Sequence, residues 1–170
     1  NTAAIERPGQ FVNIQIDGLF LRRPISVCDL DGDKLTIIYK VVGKVTERLA
    51  AMDNGQMLDI LTGLGNGYFT DFAGDKPLLI GGGVGVPPLY MLAKKLISEG
   101  KNVTVILGFN KKEEVFYEED IRIFGNRRFV VETEKGGWIL HQDAAGASHF
   151  DRLGHRRAAR AVCAAGGVCH

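Results

Sequence analysis

A run of glycines between an apolar segment and an amphipathic segment is the first feature of the sequence that could do chemistry. Residues 81–88 read GGGVGVPP and follow the apolar segment Leu78–Ile80. Glycines at such a junction leave backbone N–H groups accessible to an anion, and a helix N-terminus adds about half a positive charge. The run therefore predicts either a site for a phosphate-bearing ligand or a turn that only packs a helix onto a sheet.

The same run departs from the usual dinucleotide fingerprint. Val86 or Pro88 stands where G-x-G-x-x-G would have its third glycine. The next predicted strand is followed by Gly108-Phe109-Asn110, without the acid that binds a ribose hydroxyl in many such folds. The two prolines at 87 and 88 suit a first helical turn, where a missing N–H costs no hydrogen bond. The run alone thus identifies no particular ligand.

A second candidate site is the segment Arg22–Ser26. The Arg23 guanidinium offers a planar set of donors that suits a diphosphate, and Ser26 adds a hydroxyl. The alternative is that Arg22 and Arg23 are two solvated side chains at the start of a strand, which is the more common case for two isolated arginines.

The residues before position 75 predict antiparallel strands. Alternating apolar residues indicate strands, and an Asp-Gly turn at 31–34 predicts a hairpin between two of them. A short helix is expected over Thr46–Met52, with Thr46 as its N-cap. These elements form a small, incomplete barrel with strands at Phe11–Ile16, Ile25–Leu30, Leu35–Val42 and Leu58–Leu61.

After Pro77 the pattern changes to alternating strands and helices. The wholly apolar strand Leu78–Ile80 is typical of a parallel sheet that is buried on both faces. A helix follows the glycine run and ends at Gly100, and a second helix is expected over Glu113–Ile123. With strands at 103–107 and 129–133, the order predicts a right-handed parallel α/β unit.

Composition excludes several functional classes. The 21 Lys and Arg residues nearly balance the 20 Asp and Glu residues, which argues against nucleic-acid binding. No apolar run approaches the roughly 18–20 residues of a membrane span. The three cysteines form no disulfide framework. We therefore expect a soluble, cytoplasmic protein that binds neither nucleic acid nor membrane.

Residues 138–170 differ from the rest of the chain. All lysines precede position 136, whereas all histidines follow Trp138, within a segment rich in Ala, Arg and Gly. This segment is either a flexible or weakly helical tail or the product of a shifted reading frame. We expect it to be disordered, and its histidines and cysteines show no metal-ligand spacing.

Five motifs together resemble the electron-transfer subunits of class 1B dihydroorotate dehydrogenase, which belong to the ferredoxin reductase-like superfamily. They are RPIS at 23–26, IYK at 38–40, GKVT at 43–46, GLGNG at 63–67 and GGGVGVPPL at 81–89. LGF at 107–109 and VFYEE at 115–119 extend the resemblance, which covers about residues 7–137.

The resemblance implies an FAD-binding barrel at 1–74, a partial NAD-binding α/β domain at 75–137, and the atypical tail at 138–170. Arg23 would bind the FAD diphosphate and Ser26 would lie near the reactive flavin edge. No side chain acts as acid or base, because hydride passes directly from NADH to the flavin. The implied FAD residues are Arg23, Pro24, Ile25, Ser26, Ile38, Tyr39, Lys40, Val45 and Thr46, and the implied NADH residues are Gly81, Gly82, Gly83, Val84, Gly85 and Pro87.

The resemblance also implies a partner. In the family, electrons leave through a [2Fe-2S] cluster to an FMN-containing catalytic subunit that oxidises dihydroorotate in pyrimidine biosynthesis, so a hetero-oligomer is expected. The cluster needs four thiolates, and the chain has only Cys28, Cys163 and Cys169, so we expect it to lack the cluster. Cys28 is expected to be a core residue.

Other departures from the family keep alternatives open. Val45 stands where the family prefers glycine, which predicts crowding of the phosphate or loss of a positive-φ conformation. The family's first barrel strands and later sheet strands are not found, so the chain looks truncated at both ends. The alternatives are a ferredoxin–NADP reductase or sulfide dehydrogenase-type flavin subunit, or an inactive fragment that only docks on its partner.

Overall fold

The structure is a computed structural model. It describes the backbone of most of the chain, and it describes side chains in the first part of the chain. The backbone is described for residues 2–109, 127–134, 137–143, 158–164 and 168–169, and the side chains for residues 2–109. Within these residues, no helix combines the length and the apolar character needed to cross a bilayer.

An antiparallel sheet forms the first structural unit. Its strands are β1 (Phe11–Gln15), β2 (Arg23–Asp31), β3 (Lys34–Lys40), β4 (Asp59–Leu64), β9 (Ala158–Ala164) and β10 (Val168–Cys169), in the order β10-β9-β3-β2-β1-β4. Because β10 and β4 lie at opposite ends and do not pair, the sheet is open and the predicted barrel is incomplete.

Local sequence explains these strands. Val12 and Ile14 of β1 are essentially fully buried, while their neighbours along the strand are half-buried, as the alternation predicts. Gly32 has φ 57° in the turn between β2 and β3, so the Asp-Gly hairpin is confirmed. The short helix α1 (Lys44–Ala50) follows β3 and packs Val45 and Leu49 into the core of this sheet.

The second unit contains the predicted parallel strands. The strands β5 (Leu78–Gly82), β6 (Thr104–Phe109) and β7 (Arg127–Glu134) pair in parallel, and β8 (Gly137–Asp143) pairs antiparallel to β7. Helix α2 (Pro87–Ser98) connects β5 to β6, and its C-terminal turn ends at Gly100 with φ 80°. The predicted fold class, an incomplete antiparallel barrel followed by a truncated parallel α/β unit, is confirmed.

Each unit has its own core. The first core lies under β1–β3 and α1 and includes Val12, Ile14, Val27, Ile37 and Leu49. The second lies between α2 and the parallel strands and includes Leu79, Leu89, Leu96, Val105 and Leu107. Cys28 is completely buried, as expected for a core residue.

The expectation that β5 is buried on both faces is wrong. Leu79 faces α2 and is 8% exposed, whereas Leu78 and Ile80 are 54% and 66% exposed. Successive strand residues point to opposite faces, so one helix covers only one of them. Within the part of the chain described with side chains, α2 is that helix.

Two predictions fall largely outside the described residues. The predicted helix at 113–123 lies wholly outside them. Strands β8, β9 and β10 include residues of the segment 138–170, and the other residues of that segment lie outside the description. The domain boundaries and the expected disorder of the tail therefore stay predictions.

Candidate functional site

The glycine run turns the chain from β5 into α2. Gly81 and Gly82 end the strand, Gly83–Gly85 form one turn of 3₁₀ helix, and α2 begins at Pro87. A Cβ added to Gly81 would lie 2.5 Å from Leu89 Cδ1 and 3.2 Å from the Gly85 carbonyl oxygen, so the packing of the helix on the strand leaves little room for a side chain here. Among the residues described with side chains, no heavy atom lies within 4 Å of a Cβ placed at Gly83 or Gly85, so the turn borders open space there.

The side chains of the run divide into two groups. Val84 is 58% exposed at the open side of the turn. Pro87 is fully buried in the first turn of α2, beside the equally buried Val86. Pro87 thus fixes where the helix begins, and a ligand in the open space would face the backbone of Gly82–Gly85.

The two arginines at the start of β2, Arg22 and Arg23, have different environments. Arg22 forms a salt bridge to Asp59 of β4 and donates a 3.3 Å hydrogen bond to the carbonyl oxygen of Asn13. Among the described residues, the Arg23 guanidinium donates one long hydrogen bond, 3.3 Å, to the carbonyl oxygen of Arg22. Arg22 therefore holds β1, β2 and β4 together, while Arg23 keeps donors for an anion.

The rest of the RPIS segment follows along β2. Pro24 is exposed, Ser26 is half-buried, and Ile25 points into the first core at 9% exposure. Ser26 lies directly opposite Phe11 of β1, and Pro24 lies opposite Asn13. Directly opposed residues of an antiparallel pair share a face, so Phe11, Asn13, Pro24 and Ser26 lie on the face away from the core.

The IYK segment ends β3. Ile38 and Tyr39 are each 6% exposed, whereas Lys40 is exposed at the end of the strand. Burial raises the pKa of the Tyr39 phenol above its ordinary value. Tyr39 belongs to the first core, so its side chain supports the strand from the inside.

The expected start of α1 is corrected by the structure. The N-cap is Gly43 with φ 106°, not Thr46, and no side-chain hydrogen bond caps the helix. The Thr46 hydroxyl accepts a 2.8 Å hydrogen bond from the Val42 N–H and donates to the Gly43 carbonyl oxygen at 3.0 Å. Thr46 lies in the first turn of the helix, and its hydroxyl holds the preceding loop through these two hydrogen bonds.

The same shift moves the positive φ expected at position 45 to Gly43. Val45 lies inside the helix, where φ is negative, and its side chain is 8% exposed in the first core. The positive φ belongs to Gly43, where a Cβ would meet nothing within 4 Å but would be conformationally strained. Val45 therefore requires no positive φ, and its side chain is directed into the core.

The structure brings the candidate elements together from both units. The Gly83–Gly85 turn lies beside β3, which carries Ile38, Tyr39 and Lys40, and α2 lies along β2. Lys94 of α2 also forms a salt bridge with Asp29 of β2, at 3.1 Å. The glycine turn and the RPIS strand thus belong to elements that contact each other.

Two polar residues near this region were not found from the sequence. Gln10 is 8% exposed; its Oε1 accepts hydrogen bonds from the N–H groups of Glu6 and Arg7, and its Nε2 donates to the Gly65 carbonyl oxygen. Asn13 Oδ1 is buried without a hydrogen-bond partner among the described residues. Neither residue lies in a recognisable motif, because both depend on contacts that are distant in sequence.

The residues present fit a dinucleotide cofactor in three respects. Arg23 has donors available for a diphosphate, and Gly83 and Gly85 border open space that would admit a phosphate group. Asn13 Oδ1 is an unsatisfied acceptor beside the RPIS strand. Unsatisfied buried acceptors are uncommon in proteins, so a polar ligand at this face is chemically reasonable.

Comparison with curated proteins finds similar sequences under one name. The chain is 43% identical over 129 residues to the dihydroorotate dehydrogenase B (NAD(+)) electron transfer subunit of Shouchella clausii, covering 72% of this chain and 50% of the relative. It is 44% identical over 129 residues to the subunit of the same name from Bacillus cereus, with the same coverage. The chain thus spans about half the length of these relatives, and no family model matches it.

Solved structures have the same fold. An NADH-dependent reduced ferredoxin–NADP oxidoreductase is 34% identical with a TM-score of 0.69, covering 78% of this chain and 49% of that one. The ferredoxin reductase of carbazole 1,9a-dioxygenase is 28% identical with a TM-score of 0.62, covering 75% and 41%. A flavohemoglobin from Malassezia yamatoensis with bound FAD and heme shares the fold at 21% identity, with a TM-score of 0.63 over 74% of this chain and 36% of that one. The predicted resemblance is confirmed.

Proposed function

Because this chain is homologous to dihydroorotate dehydrogenase B electron-transfer subunits over 129 residues, we propose that it is an FAD-dependent electron-transfer subunit that takes electrons from NADH. The proposed acceptor is an FMN-containing dihydroorotate dehydrogenase catalytic subunit, in a hetero-oligomer that serves pyrimidine biosynthesis. When bound, FAD supplies the chemistry that accepts a hydride from NADH and releases electrons singly.

The observation that carries this proposal is the contact between the two candidate binding elements. The Gly83–Gly85 turn lies beside β3, while α2, which follows that turn, lies along β2. Hydride transfer requires the two reacting atoms, one on each ring, to lie within about 3–3.5 Å of each other. Contact between a phosphate-binding turn and a flavin-binding strand would bring the two rings close together. A turn that only packs a helix onto a sheet does not need contact with that strand.

The residues have distinct proposed roles. The Arg23 guanidinium donates to the FAD diphosphate, and the half-buried Ser26 hydroxyl donates near the reactive flavin edge. Behind the cofactor, β2 and β3 are kept rigid by the buried side chains of Ile25, Ile38 and Tyr39. The border of the cofactor site is formed by Pro24, Lys40 and Thr46. Val45 holds α1 in place from inside the core. The backbone of Gly81, Gly82, Gly83, Val84 and Gly85 receives NADH, and Pro87 fixes the start of α2.

We also propose that these 170 residues hold no [2Fe-2S] cluster of their own. Such a cluster needs four ligands, commonly four thiolates, whereas the sequence supplies three cysteines, of which Cys28 is completely buried. Electrons would then leave the flavin for an acceptor outside these 170 residues.

A ferredoxin is the second candidate for the electron acceptor. The similarity to an NADH-dependent reduced ferredoxin–NADP oxidoreductase, at 34% identity and a TM-score of 0.69, favours this alternative. The two candidates differ in partner and not in the flavin site. Reduction of added ferredoxin, or of a dihydroorotate dehydrogenase catalytic subunit, by NADH through this chain distinguishes them.

FAD titration of the purified chain tests the flavin site. We expect saturable binding, followed by flavin fluorescence, and an affinity about 10–100-fold weaker in Arg23→Ala, because charge-assisted hydrogen bonds contribute about 1.5–3 kcal/mol. Arg22→Ala is the matched control. It removes the same charge one residue away, from a side chain that is paired with Asp59 and has no proposed contact with FAD. Equal loss of affinity in both variants, or no binding by the folded parent chain, would contradict the proposal.

A further inference from the structure

An ion pair joins the two units at a place that the roles above leave unassigned. Lys94 Nζ lies 3.1 Å from both Oδ1 and Oδ2 of Asp29. The Asp29 side chain is 17% exposed and the Lys94 side chain is 46% exposed. A carboxylate that is mostly removed from water and paired through both oxygens is costly to leave unpaired, so this pair constrains its elements more than a fully solvated pair does.

Its two partners belong to the two elements that carry the candidate site. Asp29 lies on β2, the strand that also carries Arg23–Ser26. Lys94 lies about two helical turns after Pro87 on α2, the helix that begins at the glycine turn. Since a helix moves as a nearly rigid rod, a constraint on Lys94 is also a constraint on the turn.

The apolar residues of α2 divide between the two cores. Met91, one turn earlier on α2, is partly buried against the first core. The other apolar residues of the helix, such as Leu92 and Leu96, pack into the second core instead. Helix α2 lies along β2, and the Lys94–Asp29 pair is a charged contact between these two elements.

We propose that Lys94 and Asp29 are positioning residues, which hold the glycine turn at the distance from β2 that hydride transfer requires. This inference rests on the proposed function, and neither side chain is assigned a contact with a cofactor. Small displacements of a bound reactant slow a reaction strongly, because the near-attack geometry tolerates only a fraction of an ångström. The pair is thus expected to affect the rate of reduction and not the affinity for FAD.

Flavin reduction in the FAD-loaded chain is the first readout. At saturating NADH, Lys94→Met is expected to reduce its flavin about tenfold more slowly than the parent, with FAD affinity unchanged within about twofold. Lys94→Arg keeps the charge and is expected to keep most of the rate. The exchanged pair Asp29→Lys with Lys94→Asp is expected to recover at least half of it.

The neighbouring residue offers a matched control. Lys95 pairs with Glu99 at 2.9 Å within α2 itself, so Lys95→Met removes the same charge from the same helix without touching β2. Its reduction rate is expected to equal that of the parent. A general effect of helix charge on NADH binding would instead slow both variants alike.

A second readout needs no cofactor. Spin labels at Ala50→Cys on α1 and Ser98→Cys on α2, both exposed positions, report the distance between the units in a Cys163→Ser, Cys169→Ser background. The distance distribution is expected to be narrow in the parent and in Lys95→Met, broader in Lys94→Met, and narrow again in the exchanged pair.

The outcomes separate this inference from the proposed function. If the parent chain binds no FAD or its flavin is not reduced by NADH, the proposed function fails, and the spin-label distances alone decide whether the pair fixes the two units. If the parent is reduced normally while Lys94→Met shows an unchanged rate or an unchanged distance, the positioning role is overturned. Failure of the folded exchanged pair to restore either readout would also overturn it.

Discussion

At the scale of single residues, neighbouring side chains of the same type have different tasks. Arg22 is held by Asp59 and by the Asn13 carbonyl, while the donors of Arg23 are largely uncommitted within the described residues. The sequence identified Arg23 through its motif, yet it gave no reason to separate it from Arg22. That separation depends on the pairing of β1 with β4, which brings Asp59 to the start of β2.

The conformation of Gly43 explains why the sequence pattern predicts the wrong N-cap for α1. A threonine is a strong N-cap candidate because its side chain can accept a backbone hydrogen bond. Here the cap is Gly43 with φ 106°, and Thr46 bonds backward to the loop from the first turn of the helix. A positive φ leaves no mark in hydrophobic periodicity, so the cap could not be located from the sequence pattern.

The buried phenol of Tyr39 predicts a pH dependence of stability. Burial raises the folded-state pKa of Tyr39 above its ordinary value of 10.0. The stabilisation linked to this group is therefore complete below about pH 10 and is lost as the pH rises through the folded-state pKa. Tyr39→Phe removes this titrating group. The unfolding free energy of the parent, relative to that of the variant, is therefore expected to fall as the pH rises from about 9 to 11.

Denaturant unfolding at a series of pH values measures this difference. Subtracting the variant from the parent cancels the contributions of lysines and of the other tyrosines, which both proteins share. A difference that stays constant across the alkaline range would contradict the burial of Tyr39 in the first core.

At the scale of elements, most of the local structure could be predicted. The strands β1–β3 and the helix α2 follow from period-2 and period-3.6 patterns, and the hairpin follows from the Asp-Gly turn. The exposure of β5 could not be predicted in this way. An unbroken apolar run is compatible with burial on both faces, but which faces are covered depends on the neighbouring elements and not on the strand itself.

The glycine turn permits a prediction that separates packing from binding. Gly81→Ala places a methyl group 2.5 Å from Leu89 Cδ1 and 3.2 Å from the Gly85 carbonyl oxygen, so it is expected to destabilise the chain by about 1–3 kcal/mol. Gly85→Ala adds a methyl group in open space and is expected to leave stability within about 0.5 kcal/mol while weakening NADH binding.

Thermal unfolding and NADH titration of the two variants measure the two effects independently. The result that would contradict a nucleotide site here is normal NADH affinity in Gly85→Ala. The result that would contradict the packing role of Gly81 is parent-like stability in Gly81→Ala.

At the scale of the whole molecule, the proposed function depends on how the two units meet. The residues of the RPIS strand and of the glycine run were predicted from motifs, because each motif is local. The contact between them, through Lys94 and Asp29, joins positions 65 residues apart and follows no periodicity. Long-range pairs of this kind form only when the elements are assembled, so no local pattern in the sequence identifies Lys94 as a contact to β2.

The chain spans about half the length of its curated relatives, with 129 matched residues and 50% coverage. The described residues nevertheless include both elements that the proposed reaction needs, the strand β2 and the turn before α2. The proposed function therefore requires that these elements suffice for electron transfer from NADH to a bound flavin.

Anaerobic mixing of the FAD-loaded chain with NADH, followed by the visible absorbance of the flavin, tests that claim most directly. The proposed function predicts that the flavin is bleached at a rate that saturates with NADH concentration, and that the colour returns when an electron acceptor is added. A folded chain that retains FAD but keeps its oxidised flavin spectrum at saturating NADH would contradict it.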